Sequence, residues 1–250
     1  MKKFLFFLLT TALFATASPA RNLPKDALGT VSYDVNYNLG IINTKVATVT
    51  ISLQPSTWND IQAYYSKATV KTTPIFSLFV GSDYLAEVYL SRNDLSPLYF
   101  VNPFQKKGKT GKFEYTYDSD RKVIASVTVT DSDQPAVEED FPLDGHTMEL
   151  LSLLHYVRFL DVSHYTKPIS LKVLMGGKSF PARLSYKGID EEHFPGQQSE
   201  HFLLEMTEHG LMENGSGNEL QIWRSTGKDA RLLGLEAPLS AGFMSVKISE

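Results

Sequence analysis

Several groups of residues have types and spacings that invite chemistry. Lys106-Lys107-Gly108-Lys109-Thr110 resembles the phosphate-cradling end of a P-loop, which needs a Gly five positions before its Gly-Lys-Thr and a helix after it. The earlier position is Pro103, and Phe113, Tyr115 and Tyr117 follow in strand alternation. The run therefore reads as a turn between strands, with Lys106, Lys107, Lys109 and Lys112 available to an anionic partner. His201, Glu205 and His209 are metal-binding types, with Asp190, Glu191, Glu192 and His193 close by in sequence. A zincin helix needs its two His four apart with a Glu beside the first. On a strand, His201 and Glu205 share a face while His209 falls beyond the turn, so dispersed surface groups are expected rather than a metal site. His146, His155 and His164 straddle one helical segment and its exit and do not converge. Gly215-Ser216-Gly217 sits in a loop composition without the Gly-x-Ser-x-Gly elbow of a hydrolase. No two carboxylates are singled out for sugar hydrolysis. The residues point away from an enzyme and call for neither cofactor nor metal.

Aromatic residues are the remaining signal: twelve Tyr, fifteen Phe and two Trp. Tyr joins an apolar ring to a polar tip and suits the lining of a groove, although aromatic residues also favour pleated surfaces for their own sake. Tyr33, Tyr37, Tyr84, Tyr89 and Tyr99 are the candidate ligand-lining set, together with Leu150, Leu154 and Val157 of an apolar helix.

The elements that must position these groups are mostly strands. Val31, Tyr33, Val35, Tyr37 and Leu39 alternate with polar residues, and Ala47, Val49, Ile51 and Leu53 do the same, which only a half-buried strand explains. Residues 30–54 read as a hairpin. Further strands are expected over 60–71, 75–80, 83–91, 97–101, 112–118, 122–130, 168–175, 178–187, 200–207, 218–225, 231–236 and 243–249. Val123, Ala125, Val127 and Val129 share one face of their strand, and Gly176-Gly177 supplies a two-residue turn. The period changes once: Leu150/Leu154/Val157 and Leu153/Val157/Leu160 predict a helix over 147–160, capped by Asp144 or Thr147. It is apolar around most of its circumference and should be buried, plugging or closing a curved sheet. The acidic, Pro-bearing stretch 131–142 is the best internal linker. The expectation is a mainly β chain (α+β at most), with about a dozen strands in a strongly curved antiparallel sheet, open barrel or sandwich. Residues 21–250 read as one domain.

Ahead of it, Lys2 and Lys3 precede an apolar run from Phe4 to Phe14, and small residues continue to Ala20. That pattern is a secretory signal, cut after Ala17 or Ala20, and its run is too short to span a bilayer. The remaining 22 basic and 28 acidic residues give a net charge of −6, with six His left out. Such a balance has no general attraction for nucleic acid or anionic lipid surfaces. The chain has no Cys, which excludes disulfides, thiol catalysis and a lipid-anchored cysteine. A soluble, non-lipidated protein in the periplasm of a Gram-negative bacterium is expected, with no transmembrane span in the mature chain.

The order of segments resembles an exported envelope-protein family, domain of unknown function 3108, common in Bacteroidota. The resemblance rests on Val31 to Leu53 with Gly40-Ile41-Ile42-Asn43, on Thr73-Pro74-Ile75-Phe76-Ser77, and on Leu95-Ser96-Pro97-Leu98-Tyr99-Phe100. Phe113 to Asp118, the helix leading into Arg158-Phe159-Leu160-Asp161, and Leu235-Glu236-Ala237-Pro238-Leu239-Ser240-Ala241-Gly242 also fit; residues 190–217 depart from the pattern. It implies a β-rich envelope protein with no established activity, and supplies no catalytic residues to carry over. The leading expectation is a non-enzymatic protein binding a lipid, lipoprotein or other apolar envelope ligand on the concave side of the sheet. The alternative is an adaptor that binds another envelope protein through a sheet edge, with a glycan-acting enzyme a distant third.

Overall fold

A computed structural model of the chain describes residues 22–74, 84–106, 109–129, 135–165, 167–206 and 218–249. The signal segment expected over 1–20, the strand expected at 75–80, Lys107, Gly108, His209 and Gly215-Ser216-Gly217 lie outside the described residues.

Alternating strands joined by short connections add to a sheet one hairpin at a time. The first arm comprises β1 (Gly29–Leu39), β2 (Ile42–Trp58), β3 (Ile61–Thr72), β4 (Tyr84–Ser91), β5 (Pro97–Lys106), β6 (Lys109–Asp118), β7 (Val123–Val129) and β8 (Val137–Pro142). The second comprises β9 (His146–Glu149), β10 (Ile169–Met175), β11 (Lys178–Asp190), β12 (Ser199–Met206), β13 (Glu219–Ser225), β14 (Leu232–Pro238) and β15 (Phe243–Ile248). They form one 15-stranded sheet, in the order β8 back to β1, then β15 back to β9. β1 pairs with β15, Tyr33 opposite Ile248 and Val35 opposite Val246, which welds the two arms at the centre. Neighbours are antiparallel except β9 and β10, which run parallel because the helix carries the chain back between them.

Two strands were not expected from the sequence. β8 occupies part of the stretch read as a linker: its acids sit on an edge, paired to β7 from Val123↔Pro142 to Thr128↔Val137. β9 takes residues expected to be helical, because Leu171 to Leu174 of β10 already offer a free edge to His146–Glu149. The helix α1 therefore spans Leu150–Phe159 and is capped by Glu149, whose carboxylate accepts the Ser152 N–H at 2.8 Å. Asp144 and Thr147 do not cap it. Asp144 pairs with Lys172, and the Thr147 hydroxyl donates to the Asp144 carbonyl.

The sheet curls until its distant parts meet. The Gly177 N–H in the β10–β11 turn donates to the Tyr115 hydroxyl of β6 at 3.1 Å. The Tyr117 hydroxyl of β6 donates to Glu149 at 3.0 Å. Gly177 has a φ of +74°, and a Cβ there would stand 3.1 Å from Thr128 Oγ1, so both the turn and the close approach favour glycine. No ladder joins β8 to β9; the curved sheet remains unclosed, and α1 fills its interior. Leu151 and Phe159 pack with Leu53, Tyr64, Val88, Leu90 and Ile124 of the first arm. Leu153, Leu154 and Val157 pack with Val173, Leu184, Phe202 and Ile222 of the second. A helix with apolar residues on most sides is the solution for an element enclosed by two walls.

Registry also decides which strand face looks inward. Ile124, Ser126 and Thr128 oppose the inward Tyr117, Tyr115 and Phe113. The apolar set Val123, Ala125, Val127 and Val129 is therefore the outer face of β7.

Candidate functional site

The two walls do not close on each other at the N-terminal end of α1. Inward residues of β2, β3 and β4 include Val49, Ile51, Ala68, Val70, Tyr84 and Ala86, and they leave a cavity of about 400 Å³ against Leu150, Leu151 and Leu154. Ala68 and Ala86 are cross-strand partners; two small inward residues side by side hold the sheet away from the helix. Phe100, Phe113 and Tyr115 line it from β5 and β6, the Tyr115 hydroxyl lying beneath the β10–β11 turn, and Tyr33, Leu232, Leu235 and Val246 complete the lining. Tyr84 and Leu150, 45% and 36% exposed, mark the mouth, and Met175 and Gly176 of the β10–β11 turn complete its rim.

Polar groups in the lining are few and mostly engaged. The Asn102 amide donates to the Leu85 carbonyl at 2.6 Å. The Tyr33 hydroxyl donates to the Leu232 carbonyl at 3.2 Å, and burial raises its pKa to about 12. Glu149 is the one ionisable carboxyl of the lining. Burial pushes its pKa up, while hydrogen bonds from the Ser152 hydroxyl, its own and the Ser152 backbone, and Tyr117 oppose the shift. A largely apolar pocket with a few placed polar groups is the general form of a small-molecule site.

Four of the residues picked from the sequence meet here: Tyr33, Tyr84, Leu150 and Leu154. The other four do not line this cavity. Val157 is fully buried among Val173, Phe202 and Ile222, one turn further along the helix. Tyr37 points inward only at the end of β1, where its hydroxyl donates to the Ala241 carbonyl at 3.0 Å. Tyr89 and Tyr99 fall on the opposite parity from Tyr84, so they face outward. They form a cross-strand row with Tyr65, and Trp58 stacks on Tyr99 at 4.3 Å between ring centroids. Both faces of β4 and β5 carry aromatic residues, and ring content alone cannot tell one face from the other. Glu149, Tyr115 and the paired alanines were missed. The alanines could have been found only by aligning β3 with β4.

The remaining clusters take structural roles. His193 and His201 both lie parallel to the Trp223 indole, at 3.9 and 4.8 Å between centroids. The indole N–H donates to Asp190 at 2.9 Å, and Asp190 also accepts the Glu192 and His193 backbone N–H groups. This folds the β11–β12 connection onto the outer face. Among the described residues, no group of three or more His, Asp or Glu is placed to hold a metal ion. His146 lies tilted against the Tyr156 ring, 5.1 Å between centroids, whereas His155 is buried beside Ser66, its Nε2 2.7 Å from the hydroxyl. The lysine-rich hairpin enters β6, a strand where a P-loop requires a helix. No helix among the described residues is long and apolar enough to cross a membrane.

Comparison with known proteins agrees with this architecture. The family described as "Protein of unknown function (DUF3108)" matches residues 32–234. No curated protein matches the chain. A solved structure, a β-barrel-like protein of domain of unknown function DUF1849 from Brucella abortus, superposes with a TM-score of 0.55 at 7% identity. The match covers 92% of this chain and 98% of that one. At such identity the likeness is one of fold.

Proposed function

The chain belongs to the DUF3108 family, and from its own geometry we propose that it is a non-enzymatic binding protein for an apolar envelope ligand. One observation carries the reading: an apolar cavity of about 400 Å³, reached from the surface past Tyr84 and Leu150, between the concave face of the sheet and α1. Apolar voids gain free energy from any hydrocarbon that fills them. A glycosidase needs two carboxyls facing one cleft, whereas Glu149 stands alone in this lining. The basic start and apolar run of residues 2–14 support export, and we place the working protein in the periplasm, released without a lipid anchor. The adaptor reading has β8 in its favour, an edge strand with Val137 59% exposed. Glu138, Glu139, Asp140 and Pro142 along that edge are the residues that discourage strand addition.

Native mass spectrometry of protein purified without detergent, with displacement of a lipophilic dye, tests the reading. Copurified lipid and saturable dye uptake are expected, and Ala86→Phe, which fills the cavity, abolishes both while the circular dichroism spectrum is kept. A lipid-free protein that takes up no dye overturns it. The mass of the chain recovered from a periplasmic extract checks export: a mature N-terminus at Ser18 or Arg21 is expected, and an intact Met1 in the cytoplasm contradicts it.

A further inference from the structure

We infer that the cavity takes the single acyl chain of an uncharged amphiphile, a monoacylglycerol or fatty alcohol, with its polar head at the Tyr84–Gly176 mouth. The inference rests on the binding function proposed above and specifies its ligand class.

Size sets the first limit. A methylene needs about the 30 Å³ that a water takes in the liquid, so about 400 Å³ seats roughly 13 of them. That is one chain of medium length. A diacyl lipid or triacylated lipopeptide would leave one or two chains in water.

Charge sets the second. The described lining contains no Lys, Arg or His, and its single ionisable carboxyl is Glu149. A carboxylate or phosphate drawn inside would shed its water and meet no cation, which a low-dielectric wall penalises heavily. Arg158, at the other end of α1, is already committed to the carbonyls of Ala27, Asp229 and Ala230.

A donor sets the third. The Tyr115 hydroxyl accepts the Gly177 N–H beneath the turn that forms one lip of the mouth. Its own proton remains for an acceptor, and a hydroxyl or ester carbonyl entering behind Tyr84 supplies one. Burial raises the pKa of this phenol, so it stays a donor at neutral pH. Donor, absent cation and one-chain volume together describe a neutral head on one tail.

The test is displacement of the bound dye at pH 8 by monoglycerides of 8 to 18 carbons, by myristate, and by a triacylated lipopeptide. The expected profile peaks near 12–14 carbons, with monomyristoylglycerol at least tenfold tighter than myristate and the lipopeptide without effect. Tyr115→Phe should weaken monomyristoylglycerol three- to tenfold more than it weakens the dye. Tyr84→Lys, at the half-exposed mouth, should bring myristate to within threefold of the monoglyceride. Equal affinity for myristate and monoglyceride in the unaltered protein, or displacement by the lipopeptide, overturns the inference while dye binding itself still stands. Loss of all dye binding would instead strike the underlying function.

Discussion

The two ends of α1 are built on opposite plans. At its C-terminal end, the Arg224 guanidinium donates to the Val157 and Arg158 carbonyls at 2.6 and 2.7 Å and pairs with Glu200. Arg158 ties the same end to three more carbonyls. Cations at a helix C-terminus meet both the open carbonyls and the negative end of its dipole. At its N-terminal end, Glu149 serves as cap, and beyond it lies a void instead of a packed wall. One end is anchored by charge-assisted bonds; the other is left with room. A binding protein needs this division, because a pocket holds its shape only if the element forming its roof is fixed elsewhere.

The comparison can be broken most forcefully at the anchored end. Arg224→Ala removes two carbonyl contacts and strands Glu200, which is mostly buried. A loss of about 3–5 kcal/mol is expected, a fall in Tm of roughly 6–20 °C for a domain of this size, measured by thermal unfolding. A change confined to ligand affinity would show that this end is not the anchor.

Titration separates two groups along the helix next. His155 is held well below its ordinary 6.5 by burial and then by the Arg158 charge. The unfolded chain takes up that proton first, so stability is full above pH 6.5 and falls as pH drops below it. Glu149 is raised above its ordinary 4.5; the unfolded chain loses its proton first, so stability falls as pH rises from 4.5 upward. The two slopes, each up to about 1.4 kcal/mol per pH unit, oppose one another between pH 4.5 and 6.5. His155→Gln should leave stability falling as pH rises from 4.5, and Glu149→Gln should leave it falling as pH drops from 6.5. Denaturant midpoints at pH 4.5, 5.5 and 6.5 read this directly; parallel profiles for the two variants would contradict it.

Smaller effects sharpen the contrast. Tyr117→Phe removes one hydrogen bond to Glu149 and should cost about 1 kcal/mol, seen in urea unfolding. Tyr37→Phe loses an exposed contact to Ala241 and should change stability by less than about 0.5 kcal/mol, with dye affinity unchanged.

Much of this architecture was legible in the residues. Period-two alternation marked β1 to β3 and most later strands, and the break in period marked α1, because both signals are local. The misassigned pieces depend on distant partners. β9 is a strand only because β10 offers an edge, and β8 looks like a polar linker because an edge strand keeps its charges. The candidate site divided the same way. Tyr33 and Tyr84 line the cavity and Tyr89 and Tyr99 do not, a matter of odd and even positions across hairpin registers that include a shift between Tyr89 and Leu90. The void owes its place to Ala68 facing Ala86, a pairing that neither segment signals alone.

The seam where the sheet fails to close carries one more consequence. A ladder of backbone bonds parts cooperatively, whereas here β6 reaches across the interior to the opposite end of the sheet by single contacts, Tyr115 to Gly177 and Tyr117 to Glu149. Stitches of that kind can be let out one at a time, so the circumference of the curl is adjustable at little cost. Amides of β9 and the start of α1 should then exchange with deuterium by local opening, ahead of β1, β2 and β15, whose release requires the whole sheet to come apart. The molecule is tailored with a loose hem beside the pocket and a tight weave opposite it.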